Sequence, residues 1–385
     1  MVWPNTQKLG TEDCEPMRDR ILANGDAAAS VSHSNSATPT SGASRREFLT
    51  SLAVAGAGAM LPASGAITVI AQVTRSTRGR IDVHHHMAPP SYVKAMDREI
   101  APTAAYRNWS PAVSLEKMDK ANVATSILSP IQGLVRDSLS DRSERARSLA
   151  RQNNDYGAQV VRDRPDRFGL FATLPMPDVE GSLKEIAYAL DTLKADGFGL
   201  FTSYLDKWPG DPVFAPVFDE LNRRRAVLFF HPAHHTCCRD MAGLTGTIEF
   251  DIDTARAIDS LLLSGTLSRC PDVKFIFTHA GGAFTTLAPR MIDDFPKRFA
   301  DRVPRGVEYE FKKLYFDTAH AGAAAPLDAL KDIVSTSQVL YGSDVPIREY
   351  PLTDDKLEAY GGFSPAEWQA VNRGNAERLF PRLKA

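Results

Sequence analysis

The residues of this sequence that could do chemistry are histidines and aspartates at the ends of apolar runs. The run starting at Arg80 leads into Asp82-Val83-His84-His85-His86, three consecutive histidines out of nine in the chain. On a β-strand, alternation places Asp82, His84 and His86 on one face and His85 on the other. Two imidazoles spaced this way can reach a single divalent ion. Farther along, FFHP supplies His231, FIFTHAGG supplies His279 and LYGSDVP supplies Asp344. Imidazole and carboxylate are ordinary ligands of zinc and its neighbours. Imidazole also titrates near neutrality and so suits proton transfer. Taken singly, each residue has a plainer role, as a satisfied strand-end histidine or an aspartate helix cap. Their joint arrival at four strand ends carries the metal reading. FDTAH adds Asp317 and His320, either of which could enter the same pocket, whereas His234 and His235 read mainly as loop residues.

Such residues need strands to hold them, and from Arg80 onward apolar runs alternate with helical segments. Strands are expected at 80–84, 123–129, 168–174, 198–202, 226–231, 273–279, 314–318 and 338–342. Between them, Phe214, Val217, Phe218 and Leu221 recur at helical spacing and define one buried face. Most strand runs are apolar throughout, as parallel strands covered on both faces must be. Eight strand–helix units predict a (β/α)8 TIM barrel over 78–385. A doubly wound open sheet would carry a glycine-rich phosphate loop after its first strand, but HHHMAPP stands there. In a barrel, the C-terminal strand ends form the active-site lip.

The remaining composition excludes several classes. With 45 basic and 47 acidic side chains, the net charge of −2 leaves no basic excess for general nucleic-acid binding. The four cysteines, Cys14, Cys237, Cys238 and Cys270, lack CxxC spacing and are too few for a disulfide scaffold. Residues 1–44 are polar and small, and read as a disordered leader. Residues 45–72 begin Arg45-Arg46-Glu47-Phe48-Leu49-Thr50 and continue as an Ala/Gly-rich run broken by Pro62. This pattern reads as a cleavable twin-arginine signal and not as a spanning helix. It predicts bacterial export to the periplasm or beyond.

DVHHH, FFHP, THAGGAF and YGSDVP together resemble the aminocarboxymuconate-semialdehyde decarboxylase-like family of the amidohydrolase superfamily, from Arg80 to the final GNAERLF. IDVHHH followed by Pro-Pro is most similar to the 6-methylsalicylate decarboxylase branch. The resemblance implies a TIM barrel of the metal-dependent hydrolase type. It implies one divalent ion, zinc ahead of manganese, on His84, His86, His231 and Asp344. It casts His279 as the proton donor, with Asp344 the competing catalytic group. The strand-4 end, GLFTSY, lacks a bridging Lys or Glu, so a second metal is not expected.

Arg298 falls in register for an arginine that holds a substrate carboxylate across a homodimer; Arg107 is a loose match for a second, and Ala233 replaces a family tryptophan. Trp109 and Phe284, with Tyr204 and Trp208, are candidate pocket walls. Asp82 is expected to orient a ligand histidine. The implied reaction is non-oxidative decarboxylation of a small aromatic, hydroxybenzoate-type, or unsaturated carboxylic acid. Two competing readings share these residues: a mononuclear hydrolase of an amide, ester or lactone, and an exported metal-binding protein without catalysis.

Overall fold

The computed structural model describes residues 79–96, 104–130, 144–205, 207–233 and 248–384. The chain divides into Met1–Gln72 and Val73–Ala385, and every described residue belongs to the second unit. The expected leader and export signal, His234, His235, Cys237 and Cys238 lie outside the described residues.

All eight expected strands form, with small shifts at their ends. They are β1 (Arg80–Met87), β2 (Val123–Pro130), β3 (Phe168–Thr173), β4 (Gly197–Phe201), β5 (Val227–His231), β6 (Lys274–Phe277), β7 (Tyr315–Asp317) and β8 (Val339–Leu340). Each pairs in parallel with the next in the order β1 to β8. The loop after β8 closes the ring onto β1. Val83 N donates to Tyr341 O at 3.0 Å, Asp344 N to His84 O at 2.8 Å and His86 N to Val345 O at 2.7 Å. Closure therefore sets Asp344 against the histidines of β1.

Helices wrap the strands, among them α1 (Pro111–Lys120), α2 (Glu144–Asp163), α3 (Val179–Tyr188), α4 (Ala215–Arg223), α5 (Phe250–Leu263), α6 (Phe284–Asp293), α7 (Ala324–Ile333) and α8 (Tyr350–Ala359). The stripe on and just before α4 behaves as its spacing requires: Phe214, Val217, Phe218 and Leu221 are buried. Inside the ring, Ile81, Val83, Ile127, Phe171, Val227, Phe229, Ile276 and Leu340 form a second core, joined by Phe380 and Leu383 of the C-terminal segment. Arg373 and Arg382 tie that segment to the starts of β1 and β3 through Gly79 O and Phe168 O. The barrel is thus filled, and burial of each large side chain there contributes roughly 1.5–3 kcal/mol. Phe171 and Phe229 stack with centroids 5.1 Å apart, and the His84 ring stands 5.1 Å from Phe229. The apolar filling ends where the histidines begin.

Candidate active site

His84 and His86 come from β1, His231 from the end of β5, and Asp344 from the loop that closes the ring; all four are buried. One ligand atom from each lies within 4.8 Å of all the others. His84 Nε2 and His86 Nε2 are 3.2 Å apart, and Asp344 Oδ1 lies 3.1 Å from the first and 2.8 Å from the second. His231 Nε2 completes the group at 3.9 Å from the same oxygen.

The outer nitrogen of each ring has its own partner. His84 Nδ1 meets Asp317 Oδ2 at 2.8 Å, His86 Nδ1 meets Ser129 Oγ at 3.0 Å and His231 Nδ1 meets Pro232 O at 3.1 Å. A carboxylate and a carbonyl only accept, so Nδ1 of His84 and His231 donates and Nε2 turns a lone pair inward. Among the described residues, the buried His231 Nε2 and Asp344 Oδ1 have no hydrogen-bond partner. An unsatisfied buried polar group costs about 1–3 kcal/mol. A divalent cation would satisfy the converging lone pairs and offset the carboxylate charge, so the donor set fits one metal ion.

Electrostatics agree with that fit. Burial disfavours the His84 imidazolium, but Asp317 and Asp344 outweigh it and hold the pKa up at about 10. A proton there stands in for the cation the pocket favours. Burial pushes His86 down and His231 well down, the state a ligand imidazole needs. Burial alone would raise Asp344, yet the surrounding histidines, His84 foremost, keep it well below the usual carboxylate range.

His279 stands at the edge of this group. Its ring centroid is 5.3 Å from His84, 5.4 Å from His231 and 5.0 Å from His320. Its buried Nε2 has no partner among the described residues, and burial pushes its pKa well below the ordinary value. The backbone holds it: His279 N donates to Asp317 Oδ1 at 2.9 Å. His279, His320 and Asp344 have φ of 56°, 58° and 71°. Such left-handed conformations cost of order 1–3 kcal/mol each and gather at functional sites. Gly282, at φ +56°, has the Asp251 backbone so close that a Cβ would sit 2.6 Å from its Cα.

Several expectations need correction. Asp82 does not reach a ligand ring. Its Oδ1 accepts from His84 N at 3.0 Å and Ser343 N at 3.1 Å, and its Oδ2 from Ser343 Oγ at 2.6 Å and Tyr350 OH at 3.0 Å. A register shift between Asp82 and His85 breaks the strict alternation along β1. The carboxylate that orients His84 is Asp317. Phe284 is no pocket wall: it is fully buried, 4.8 Å from Phe311 and 5.6 Å from Phe316 between centroids.

Trp109 is buried and lines a cavity of about 410 Å³ with Ser114, Val345 and Pro346, beside the Asp344 loop. Arg298 is exposed and lies over Phe299, 4.6 Å from its centroid. At the end of β4, Thr202 and Ser203 donate to Asp253 Oδ2 at 2.5 and 3.0 Å, and Trp208 Nε1 to its Oδ1 at 2.9 Å. Tyr106 is a site neighbour that its sequence context does not reveal: burial first and the Asp344 charge second push its phenol above the ordinary value. Nothing in its AAYR context marks it as a site residue.

The family model described as amidohydrolase matches residues 81–382. The decarboxylase macB of Penicillium terrestre is 34% identical over 328 residues, covering 79% of this chain and 96% of the relative. A 6-methylsalicylic acid decarboxylase of Penicillium expansum is 34% identical over 321 residues, covering 79% and 97%. Among solved structures, a dihydroxybenzoic acid decarboxylase from Polaromonas, with bound manganese and 2-nitroresorcinol, superposes with a TM-score of 0.67 at 21% identity, covering 80% of this chain and 98% of that one. The two sequence relatives are fungal decarboxylases, which overturns the expectation of a bacterial protein exported by the twin-arginine route. Among the described residues, no helix is long and apolar enough to cross a membrane. Motifs, barrel and family match converge: this chain belongs to the amidohydrolase family.

Proposed function

We propose that this protein is a metal-dependent, non-oxidative decarboxylase, a carbon–carbon lyase acting on a small aromatic acid of the hydroxybenzoate type. The observation that carries the reading is His279, a histidine outside the ligand set whose buried Nε2 has no partner among the described residues and whose ring stands against the ligand rings. A pure binding site has no use for it. The decarboxylase names of the fungal relatives, at 34% identity, support the reaction class.

His84, His86, His231 and Asp344 would hold the ion, zinc or manganese. When bound, it supplies Lewis-acid attraction for the substrate carboxylate and an adjacent oxygen. The chain's own residues do the rest. Asp317 holds His84 by its ring and His279 by its backbone, so the ligand and the acid share one anchor. His279, uncharged in the free protein, takes up a proton from solvent as the anionic substrate binds, and its Nε2 delivers that proton to the ring carbon bearing the carboxylate. The bond to the carboxyl carbon then breaks, its electron pair returns to the ring, and CO2 leaves. Positioned general acids contribute typically ~10²–10⁴-fold. Arg298 is proposed to hold substrate across a homodimer, which suits its exposure.

The test is incubation of metal-loaded protein with a panel of 2-hydroxybenzoates and, separately, of esters and lactones. Release of CO2 with formation of the phenol is expected. Acid release from the esters or lactones without CO2 would replace decarboxylation by hydrolysis. Inertness towards both panels would favour a non-catalytic metal-binding protein.

A further inference from the structure

Each ligand histidine has a partner that fixes its ring, and the fourth ligand, Asp344, has one too. His320 Nε2 lies 2.7 Å from Asp344 Oδ2, and Arg348 Nη1 lies 3.1 Å from His320 Nδ1. A guanidinium only donates. Nδ1 of His320 must therefore accept, so its hydrogen sits on Nε2 and is donated to Asp344 Oδ2. The hydrogen-bond directions of the whole chain follow from the one group in it that has no acceptor.

The backbone secures both ends of this chain. Arg348 N donates to Asp344 O at 2.9 Å, and Arg348 Nη2 to Leu352 O at 3.2 Å in α8. His320 and Asp344 adopt left-handed φ of 58° and 71°. For residues with a Cβ this backbone is unfavourable, and it aims the two side chains at each other from the β7 and β8 loops. Oδ2 is thereby engaged, while Oδ1 faces the three imidazoles with no hydrogen-bond partner among the described residues.

We propose that His320, fixed by Arg348, is a positioning residue that holds Asp344 so that a single oxygen, Oδ1, serves the metal. This inference rests on the metal reading above. His320 also stands with His279 and Asp344 in a second group that could hold a metal ion. It is exposed, however, and its Nε2 is spent on Asp344 Oδ2, so it serves the His84, His86, His231 and Asp344 set as a partner and not as a member. An unheld carboxylate would rotate about its last bond and either offer both oxygens or swing out of the group. The FDTAH motif therefore contributes both of its polar ends: Asp317 steadies His84, and His320 steadies Asp344.

The experiment is cobalt(II) binding to the full chain, by competition with a chromophoric chelator and by the visible spectrum of the bound ion, with circular dichroism as a check of fold. His320→Ala should weaken binding roughly 10- to 100-fold, as loss of such outer partners does. It should also alter the cobalt spectrum as the carboxylate changes its mode of binding. His320→Gln keeps an N–H donor for Oδ2 and an acceptor for Arg348, and should recover most of the affinity and the wild-type spectrum. Arg348→Met, which leaves the ligand set and His320 in place, should give a smaller loss in the same direction.

A folded His320→Ala protein with wild-type affinity and spectrum would overturn the proposal. A folded His320→Gln protein as impaired as His320→Ala would overturn it too. Should His320→Ala not fold, the Gln and Met variants decide by the same two readouts. Failure of the wild-type protein to bind cobalt would instead sink the metal reading itself, a different result from wild-type binding that ignores His320.

Discussion

Replacing Asp317 by asparagine should strip the barrel of much of its metal affinity while leaving its fold in place. Asp317 Oδ1 accepts from two backbone donors, His279 N at 2.9 Å and Ala319 N at 3.0 Å, while Oδ2 meets His84 Nδ1 at 2.8 Å. In Asp317→Asn the amide oxygen must take the site of the two backbone donors, which leaves Nδ2 facing His84. Two donors then oppose each other unless His84 moves its proton to Nε2, and that fills the lone pair aimed at the ion. A hydrogen bond to a charged group is worth about 1.5–3 kcal/mol. At ~1.4 kcal/mol per tenfold, metal affinity should fall by roughly 10- to 150-fold. The assay is chelator competition on wild-type and variant proteins, with circular dichroism as a control for folding. A folded Asp317→Asn protein with the wild-type metal dissociation constant would show that His84 does not depend on this tautomer.

Other predictions test neighbouring parts of the site. His279→Ala should retain the metal by elemental analysis yet lose ~10²–10⁴-fold in turnover; near-normal turnover would remove His279 from the chemistry. Gly342→Ala adds a Cβ that would stand 2.9 Å from Asp317 Cβ and from His84 Cβ. Such overpacking costs typically ~1–3 kcal/mol, so both Tm and metal affinity should fall, and an unchanged pair of values would contradict the close approach. In the metal-free protein, the His84 pKa of about 10 lies above its ordinary 6.5. A raised imidazole pKa contributes stability that is complete below the unfolded value and disappears as pH rises through the folded one. Thermal unfolding of chelated protein should therefore show stability falling between pH 6.5 and about 10. Adding the ion should flatten that slope; a flat profile without metal would count against the His84 ion pairs.

The strands were legible in the sequence because parallel strands buried on both faces are written as unbroken apolar runs. The lip residues were legible because polar side chains interrupt those runs at their C-terminal ends: His231 closes VLFFH, and His279 follows KFIF after Thr278. What escaped depends on events without a local period. Alternation misplaced Asp82 because β1 shifts register between Asp82 and His85. The position of Phe284 is not legible because the chain turns through positive φ from His279 to Gly282, which resets the phase at which α6 begins. Asp317 and His320 were visible as candidates, but their partners stand on other strands and loops, His84 on β1 and Asp344 after β8. Asp317 reaches His84 past Gly342, where a side chain would obstruct both, and His320 reaches Asp344 between two left-handed backbones. Such contacts belong to closure of the ring and not to any one segment.

The most direct measurement is decarboxylation of a 2-hydroxybenzoate in deuterated water by the metal-loaded protein. CO2 and phenol should form in equal amounts, with one deuterium on the carbon that carried the carboxylate. Chelation should abolish the reaction, readdition of zinc or manganese should restore it, and His279→Ala should suppress it with the metal still bound. Undiminished CO2 release after the metal is removed, or no CO2 release from any 2-hydroxybenzoate while esters or lactones are cleaved, would contradict the account.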